Sequence, residues 1–206
     1  MCRFLALKSA NKIEPQSLIL KFAEGAKNSR SPDGDWQGDG WGICWLDDSG
    51  NWSIYKSLLP LWEDCAAFES IPATRYLLLH ARSASFPKDK NNIHYNQPYS
   101  NEQYAFVFNG LVKGVKLPFS LEGHIGAQKI WSLLKKYLKH DTPHNALIKL
   151  KDTLNEYSTD IYALNIGLCD KSDIFSINIY KEHPEYYQLH YHTAPGGAQV
   201  LTSLPL

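Results

Sequence analysis

The cysteine at position two carries the most direct chemistry in the sequence. A small second residue generally allows the initiator methionine to be cleaved, and Cys2 would then hold a thiol and a free α-amine on one residue. The amine has an unperturbed pKa of roughly 7.7–8.0 and the thiol about 8.5, so the amine can accept the thiol proton near neutral pH. Taken alone, the same residue also fits a buried cysteine in an edge strand, since free cysteine is often buried.

Further segments contain residues that can contact a polar substrate. They are Gly38-Asp39-Gly40-Trp41-Gly42, His80-Ala81-Arg82-Ser83-Ala84-Ser85, Asn96-Gln97-Pro98-Tyr99 and Phe108-Asn109-Gly110. The planar guanidinium of Arg82 can hold a carboxylate through two parallel hydrogen bonds, which a lysine would not reproduce. Ser85 can add a hydroxyl nearby. A surface ion pair for Arg82 and an ordinary turn for Ser85 are the alternatives.

Taken together and in this order, these segments resemble the class II glutamine amidotransferases, which are N-terminal-nucleophile hydrolases. The opening Met1-Cys2-Arg3 is similar to a small subgroup of that family that begins Met-Cys-Arg. The likeness extends from Met1 to about Trp131. It covers the first two thirds of the chain and fades beyond them.

The resemblance implies a role for each matched residue. Cys2 would be the nucleophile, with Arg82 binding the substrate α-carboxylate and Ser85 beside it. The side-chain amide of Asn109 and the backbone N–H of Gly110 would form the oxyanion hole, because attack on an amide carbonyl builds negative charge on its oxygen. As a lone dipeptide, Asn-Gly more often marks a hairpin turn.

These roles predict an amide hydrolase that cleaves the side-chain amide of glutamine, or a γ-glutamyl amide, through a Cys2 thioester. The substrate would be a small molecule, no cofactor would be needed, and a synthase partner would be required only if ammonia is transferred. Two alternatives remain. One is a catalytically impaired relative that binds an amino acid or a partner protein, and the other is a thiol redox or structural protein in which Cys2 pairs with another cysteine.

The chain departs from the family pattern where that pattern has an aspartate that binds the substrate α-amine. Gly126 occupies this position at the start of a helix, and Glu122 is the nearest candidate to replace the missing carboxylate. The departure leaves Cys2, Asn109 and Gly110 in place. It weakens the case for free glutamine as the substrate, and a γ-glutamyl amide would fit a chain without a visible synthase domain.

Composition excludes several other classes of function. Lys plus Arg equals Asp plus Glu at 21 each, so overall charge gives no reason to expect binding to nucleic acid or to an acidic membrane surface. The apolar run at the N-terminus stops at Lys8, too short for a signal peptide or a membrane span, which predicts a cytoplasmic protein. The cysteines are widely spread and His190 and His192 have no evident third ligand, so no metal site is expected.

The elements that must position these residues follow from hydrophobic patterning. Strands are predicted at 2–7, 41–46, 52–55, 76–81, 104–108, 162–168, 174–180, 187–192 and 199–202. Helices are predicted at 16–26, 127–138 and 144–157. Strands, then helices, then strands indicate an α+β protein of one domain over residues 1–206. The resemblance specifies an αββα sandwich, with two mainly antiparallel sheets packed face to face and helices outside.

Overall fold

Ten strands form two antiparallel sheets in the computed structural model, which describes the backbone of residues 1–206 and every side chain except that of Pro195. The strands are β1 (Arg3–Ile13), β2 (Trp41–Leu46), β3 (Trp52–Ser57), β4 (Thr74–Ala81), β5 (Tyr99–Ser100), β6 (Ala105–Lys113), β7 (Asp160–Cys169), β8 (Ile174–Tyr180), β9 (His190–Ala194) and β10 (Ala198–Thr202). The six-stranded sheet has the order β3-β2-β4-β1-β10-β9, and the four-stranded sheet has the order β5-β6-β7-β8.

Helices cover the outer face of each sheet. They are α1 (Gln16–Asn28), α2 (Cys65–Glu69), α3 (Gly126–Leu138) and α4 (Pro143–Tyr157). A short fifth helix, α5 (Pro184–Tyr187), packs against Ala163 of β7 instead. The apolar sides of α1 and α2, including Phe22 and Phe68, pack on the six-stranded sheet. The apolar sides of α3 and α4, including Leu134 and Leu150, pack on the four-stranded sheet.

The inner faces of the two sheets pack against each other. Side chains alternate between the two faces of a strand, so Phe4 and Ala6 of β1 point inward while Leu5 and Leu7 point toward α1. From the other sheet, Ala105 and Val107 join the inner layer. The molecule is thus an αββα sandwich, which confirms the predicted fold class.

Most predicted elements are present, and the differences concern short or polar segments. Strands β2 and β8 have the predicted bounds. Asn109 and Gly110 were expected to follow a strand, but they lie inside β6, which continues to Lys113 because each pairs with a residue of β7. Tyr187 was assigned to a strand, but it ends α5, whose four residues are too few for a periodic pattern.

None of the helices in the described part of the chain combines the length and the apolarity that crossing a membrane requires.

Helix α4 allows a test of which face supports the fold. Leu150 is fully buried against the four-stranded sheet, whereas Ile148 on the same helix is 40% exposed. We expect Leu150→Ala to lower the free energy of unfolding by about 2–5 kcal/mol in chemical denaturation, because it removes buried methyl groups and leaves a cavity. Ile148→Ala is the matched control and should stay within about 0.5 kcal/mol. Equal losses in both variants would contradict this packing.

Candidate active site

Cys2 immediately precedes β1, which is hydrogen-bonded to a neighbour on both sides. Arg3 pairs with Ala81 of β4, so Cys2 lies beside the residues that follow β4. Its Sγ accepts a hydrogen bond from the backbone N–H of Ser83 at 3.4 Å. The thiol also donates to the Ser83 carbonyl oxygen, 3.5 Å from Sγ. The position of the sulfur is therefore fixed by backbone groups.

The surroundings of Cys2 favour the protonated thiol. Burial raises the pKa of the thiol above its ordinary value of 9.0. The positive chain terminus, the Ser83 N–H and the Arg82 guanidinium act in the opposite direction, and Asp39 adds a small rise. Nucleophilic attack by this sulfur therefore needs a group that accepts its proton.

The side-chain amide of Asn109 is buried and has no hydrogen-bond partner among the described residues. The residue is 1% exposed, and neither Oδ1 nor Nδ2 has a hydrogen-bond partner among the described residues. A buried amide without partners costs free energy, and such exceptions are concentrated where a ligand is bound. Next to it, a Cβ on Gly110 would lie 2.2 Å from the Ala163 carbonyl oxygen, so this position requires glycine.

Gln97 fixes the backbone next to Asn109, and sequence reasoning gave it no role. Its Oε1 accepts from the Phe108 N–H at 2.6 Å, and its Nε2 donates to the Phe108 carbonyl at 3.0 Å. Nε2 also lies 3.0 Å from Nε2 of His80, whose Nδ1 has no partner among the described side chains. The sequence segment Asn96-Gln97-Pro98-Tyr99 contains Gln97, but only the fold shows which backbone groups it binds.

Arg82 is buried and holds the loop that follows β4. Its Nη2 donates to the Asp89 carbonyl at 2.6 Å, and its Nη1 donates to Asn96 Oδ1 at 3.0 Å. Longer contacts join Nη1 to the carbonyls of Lys90 and Asn92, at 3.3 and 3.4 Å. Nε–H and one N–H of Nη2 have no acceptor among the described residues. The fold therefore leaves two N–H groups of Arg82 without a hydrogen bond.

A cavity of about 1170 Å³ contains all five residues proposed from the sequence. Cys2 and Arg82 reach it from the six-stranded sheet and the loop after it, with the exposed Ser85 at the rim, and Asn109 and Gly110 reach it from β6. Apolar side chains that line it include Phe86, Leu111, Val115, Leu117, Phe119 and Ile130. Its other charged side chains are Lys88, Asp89, Lys116 and Lys129. The cavity therefore has an apolar wall and a mainly basic rim.

The start of α3 borders this cavity without a carboxylate. Gly126 is the first residue of the helix, lines the cavity, and has no atom within 4 Å of an added Cβ. Glu122, considered as a replacement, pairs with Lys135 at 3.3 Å and lines a separate groove. It does not supply the missing acid.

The Asp-Gly-Trp-Gly segment supports the site through its backbone. Gly40 has φ +109°, and a Cβ there would meet Asn96 Nδ2 at 2.6 Å. The N–H of Arg82 donates to the Gly40 carbonyl at 2.9 Å. Asp39 accepts from the Ala84 N–H at 2.9 Å. These contacts hold the end of β4, where the sulfur is bound.

Other groups with reactive side chains lie apart from this arrangement. All four cysteines are free thiols, and Cys44 lies in the core between the two sheets. His190 and His192 do share a face, with ring centroids 6.1 Å apart. Within the described residues, no three His, Cys, Asp or Glu side chains are placed to hold a metal ion.

The buried imidazole of His80 makes stability depend on pH. Burial, with Arg82 adding to it, lowers the pKa of His80 from 6.5 to about 3. The unfolded chain binds this proton below about pH 6.5 and the folded chain does not, so stability is unaffected above that pH and falls as the pH drops toward 3. Between pH 6.5 and 5.5 we expect the wild type to lose about 1 kcal/mol more than His80→Gln in chemical denaturation. The same pH slope in both proteins would disprove the assignment.

Comparison with known sequences and structures adds a fold likeness. No protein-family model and no curated protein matches the chain. The glutamine aminotransferase class-II domain protein from Silicibacter pomeroyi matches over 98% of this chain and 88% of its own, with 16% identity and a TM-score of 0.64.

Two larger proteins match over part of their length. Glutamine phosphoribosylpyrophosphate amidotransferase from B. subtilis has 14% identity and a TM-score of 0.63, and a protein described as the allosteric regulatory enzyme of purine biosynthesis has 14% identity and a TM-score of 0.66. Each match covers 98% of this chain but only 42% of the other protein, so this chain spans less than half of their length. The likeness shows that the two packed sheets and outer helices of this chain have the same fold as these proteins.

Proposed function

We propose that this chain is an amide hydrolase of the class II glutamine amidotransferase type, with Cys2 as its nucleophile. The observation that carries the proposal is the shared cavity, into which a fixed sulfur and a buried amide without partners both project. Covalent attack needs both groups, since one forms the bond and the other stabilises the charge that results. Arg82 and Ser85 border the same cavity and are the proposed contacts for the rest of the substrate.

The reaction requires Met1 to be removed, because only a free α-amine can serve as the base. This amine accepts the thiol proton, and the thiolate of Cys2 attacks the amide carbonyl. The oxyanion accepts hydrogen bonds from Asn109 Nδ2 and the Gly110 N–H. The α-ammonium then donates its proton to the leaving nitrogen, and a thioester remains. Water, deprotonated by the same amine, attacks the thioester and releases the carboxylic acid and the free thiol.

The proposed substrate is a γ-glutamyl amide, with glutamine as the smallest member of the class. The cavity of about 1170 Å³ exceeds the roughly 300–1,000 Å³ that holds most drug-sized ligands, and much of its lining is apolar. The two free N–H groups of Arg82 can bind the α-carboxylate side by side. At the start of α3, Gly126 offers no charge to the α-ammonium that glutamine and γ-glutamyl amides share, so the preference for a larger amide rests on the size and apolar lining of the cavity.

A synthase partner belongs to this proposal only when the leaving group is ammonia. The two larger proteins with a similar fold have more than half of their length outside the matched region. Hydrolysis of a larger γ-glutamyl amide releases an amine and needs no such partner.

The nucleophile can be tested by substitution and by labelling. We expect Cys2→Ala and Cys2→Ser to reduce amidase kcat by orders of magnitude, and Asn109→Ala to reduce it by about 10²–10³-fold through loss of an oxyanion donor. A chloroketone analogue of glutamine should add to Cys2, as read by peptide mass spectrometry. Cys65→Ala is the matched control, because Cys65 is an exposed free thiol outside the cavity. Unchanged turnover in both Cys2 variants would refute the assignment.

The substrate class can be tested by comparing leaving groups. We expect kcat/KM for a γ-glutamyl anilide to exceed that for glutamine, because the aryl group can contact the apolar wall. Leu111→Ser should reduce the anilide rate and leave the glutamine rate nearly unchanged. Val115→Ser is a second probe of the apolar lining. A preference for glutamine that neither variant alters would oppose the γ-glutamyl assignment.

A second candidate is a non-catalytic protein that binds an amino acid or a partner. The observation in its favour is the ion pair between the Met1 ammonium and Asp35 Oδ2, 3.0 Å apart, which gives a retained methionine a partner of its own. Intact-mass measurement of the purified chain separates the two. Loss of one methionine supports the hydrolase, and complete retention supports the binding protein.

A further inference from the structure

Two buried polar side chains converge on the bond that joins Met1 to Cys2. Gln37 is fully buried, and its Nε2 donates to the Met1 carbonyl oxygen at 2.9 Å. Tyr186 is 3% exposed, and its hydroxyl donates to the same oxygen at 2.9 Å. The two side chains also contact each other, with Gln37 Nε2 3.2 Å from the Tyr186 hydroxyl.

The point on which they converge is close to the nitrogen of Cys2. In a peptide the carbonyl oxygen lies about 2.3 Å from the nitrogen of the next residue. Removal of Met1 takes this oxygen away and leaves an amine at that nitrogen. Gln37 and Tyr186 then lose their common partner at the place where the amine appears.

Gln37 has an unused acceptor to offer. Its Oε1 is buried and has no hydrogen-bond partner among the described residues. The side-chain amide can exchange its oxygen and nitrogen by a half-turn about its last torsion, since the two groups are nearly equal in size. With Met1 absent, this turn brings Oε1 toward the amine and toward the Tyr186 hydroxyl.

The position of Tyr186 is itself restrained. The Arg3 guanidinium carbon lies 3.5 Å from the centroid of the Tyr186 ring, and Arg3 also donates to Ser29 at 2.9 and 3.0 Å. Tyr186 belongs to α5, and its ring packs at 5.0 Å on that of Tyr187. The hydroxyl is therefore held beside the chain terminus by contacts that do not involve Met1.

We propose that Gln37 and Tyr186 form the binding site for the Cys2 α-amine in the processed chain, with Gln37 Oε1 and the Tyr186 oxygen accepting its N–H groups. This inference rests on the proposed function, since it concerns the base of that reaction. Both are positioning residues. They hold the amine in the orientation in which its lone pair can take the thiol proton.

The test measures the amine directly, in the full chain after Met1 has been removed. Cysteine labelled with ¹³C and ¹⁵N gives Cys2 resonances whose shift with pH reports the midpoint of the α-amine titration. The charged and titratable groups around this amine are the Cys2 thiol, Arg3, Asp35, Asp39, His80, Arg82 and Tyr186. A substitution at Gln37 alone leaves all of these groups in the chain, so a change in the midpoint reports the effect of Gln37.

We expect Gln37→Glu to raise the midpoint by about one pH unit or more, because a carboxylate beside the amine favours the ammonium. Gln37→Leu should lower it, because burial then acts without the acceptor. Gln199→Glu is the matched control, since Gln199 is exposed on β10, and it should leave the midpoint unchanged. Unchanged midpoints in both Gln37 variants would overturn the proposal.

If the Gln37 variants do not fold, the Tyr186→Phe variant tests the proposal instead. Loss of the hydroxyl should lower the midpoint, and no change would again overturn the proposal. Amide hydrolysis is assayed separately on the same samples. Wild-type hydrolysis with unresponsive midpoints contradicts this inference alone, whereas a processed wild type without hydrolysis contradicts the proposed function.

Discussion

The pairing of the first strand on both of its edges is the constraint on which the site depends. Chain termini usually fray, because few contacts hold them. Here β1 lies between β4 and β10 inside the six-stranded sheet, so the residue before it has a fixed place. Alternation along β1 and β6 then directs Cys2 and Asn109 toward the space between the sheets, where one cavity contains both. Neither strand alone would create a reactive site.

The polar groups around this cavity fall into two kinds. Gln97, Asn96 and Asp39 each form hydrogen bonds with backbone groups, and they hold the loops and strand ends that surround the cavity. Asn109 and Gln37 retain buried atoms without partners among the described residues. The first kind stabilises the fold, and the second has a capacity for hydrogen bonding that a substrate or the processed terminus can satisfy. This division explains why the proposed chemistry is assigned to so few side chains.

Much of this arrangement can be predicted from the sequence, because the strongest signals are local. Hydrophobic alternation gave β2 and β8 with their observed bounds, and the helical period gave α3 and α4 to within one residue. The resemblance selected five residues that line one cavity. Three features could not be predicted, because they depend on pairing between distant segments. These are the continuation of β6 through Asn109, the contact of Gln97 with Phe108, and the approach of Gln37 to a terminus 36 residues away in sequence.

The central claim is that the Cys2 sulfur and the Asn109–Gly110 donors act on the same carbonyl. A crystal structure of the processed chain, alkylated with a chloroketone analogue of glutamine, tests it most directly. We expect a bond from Cys2 Sγ to the analogue, with the ketone oxygen within hydrogen-bonding distance of Asn109 Nδ2 and of the Gly110 nitrogen. An adduct on Cys2 whose ketone oxygen points away from both donors would contradict it, as would an adduct formed only on Cys65.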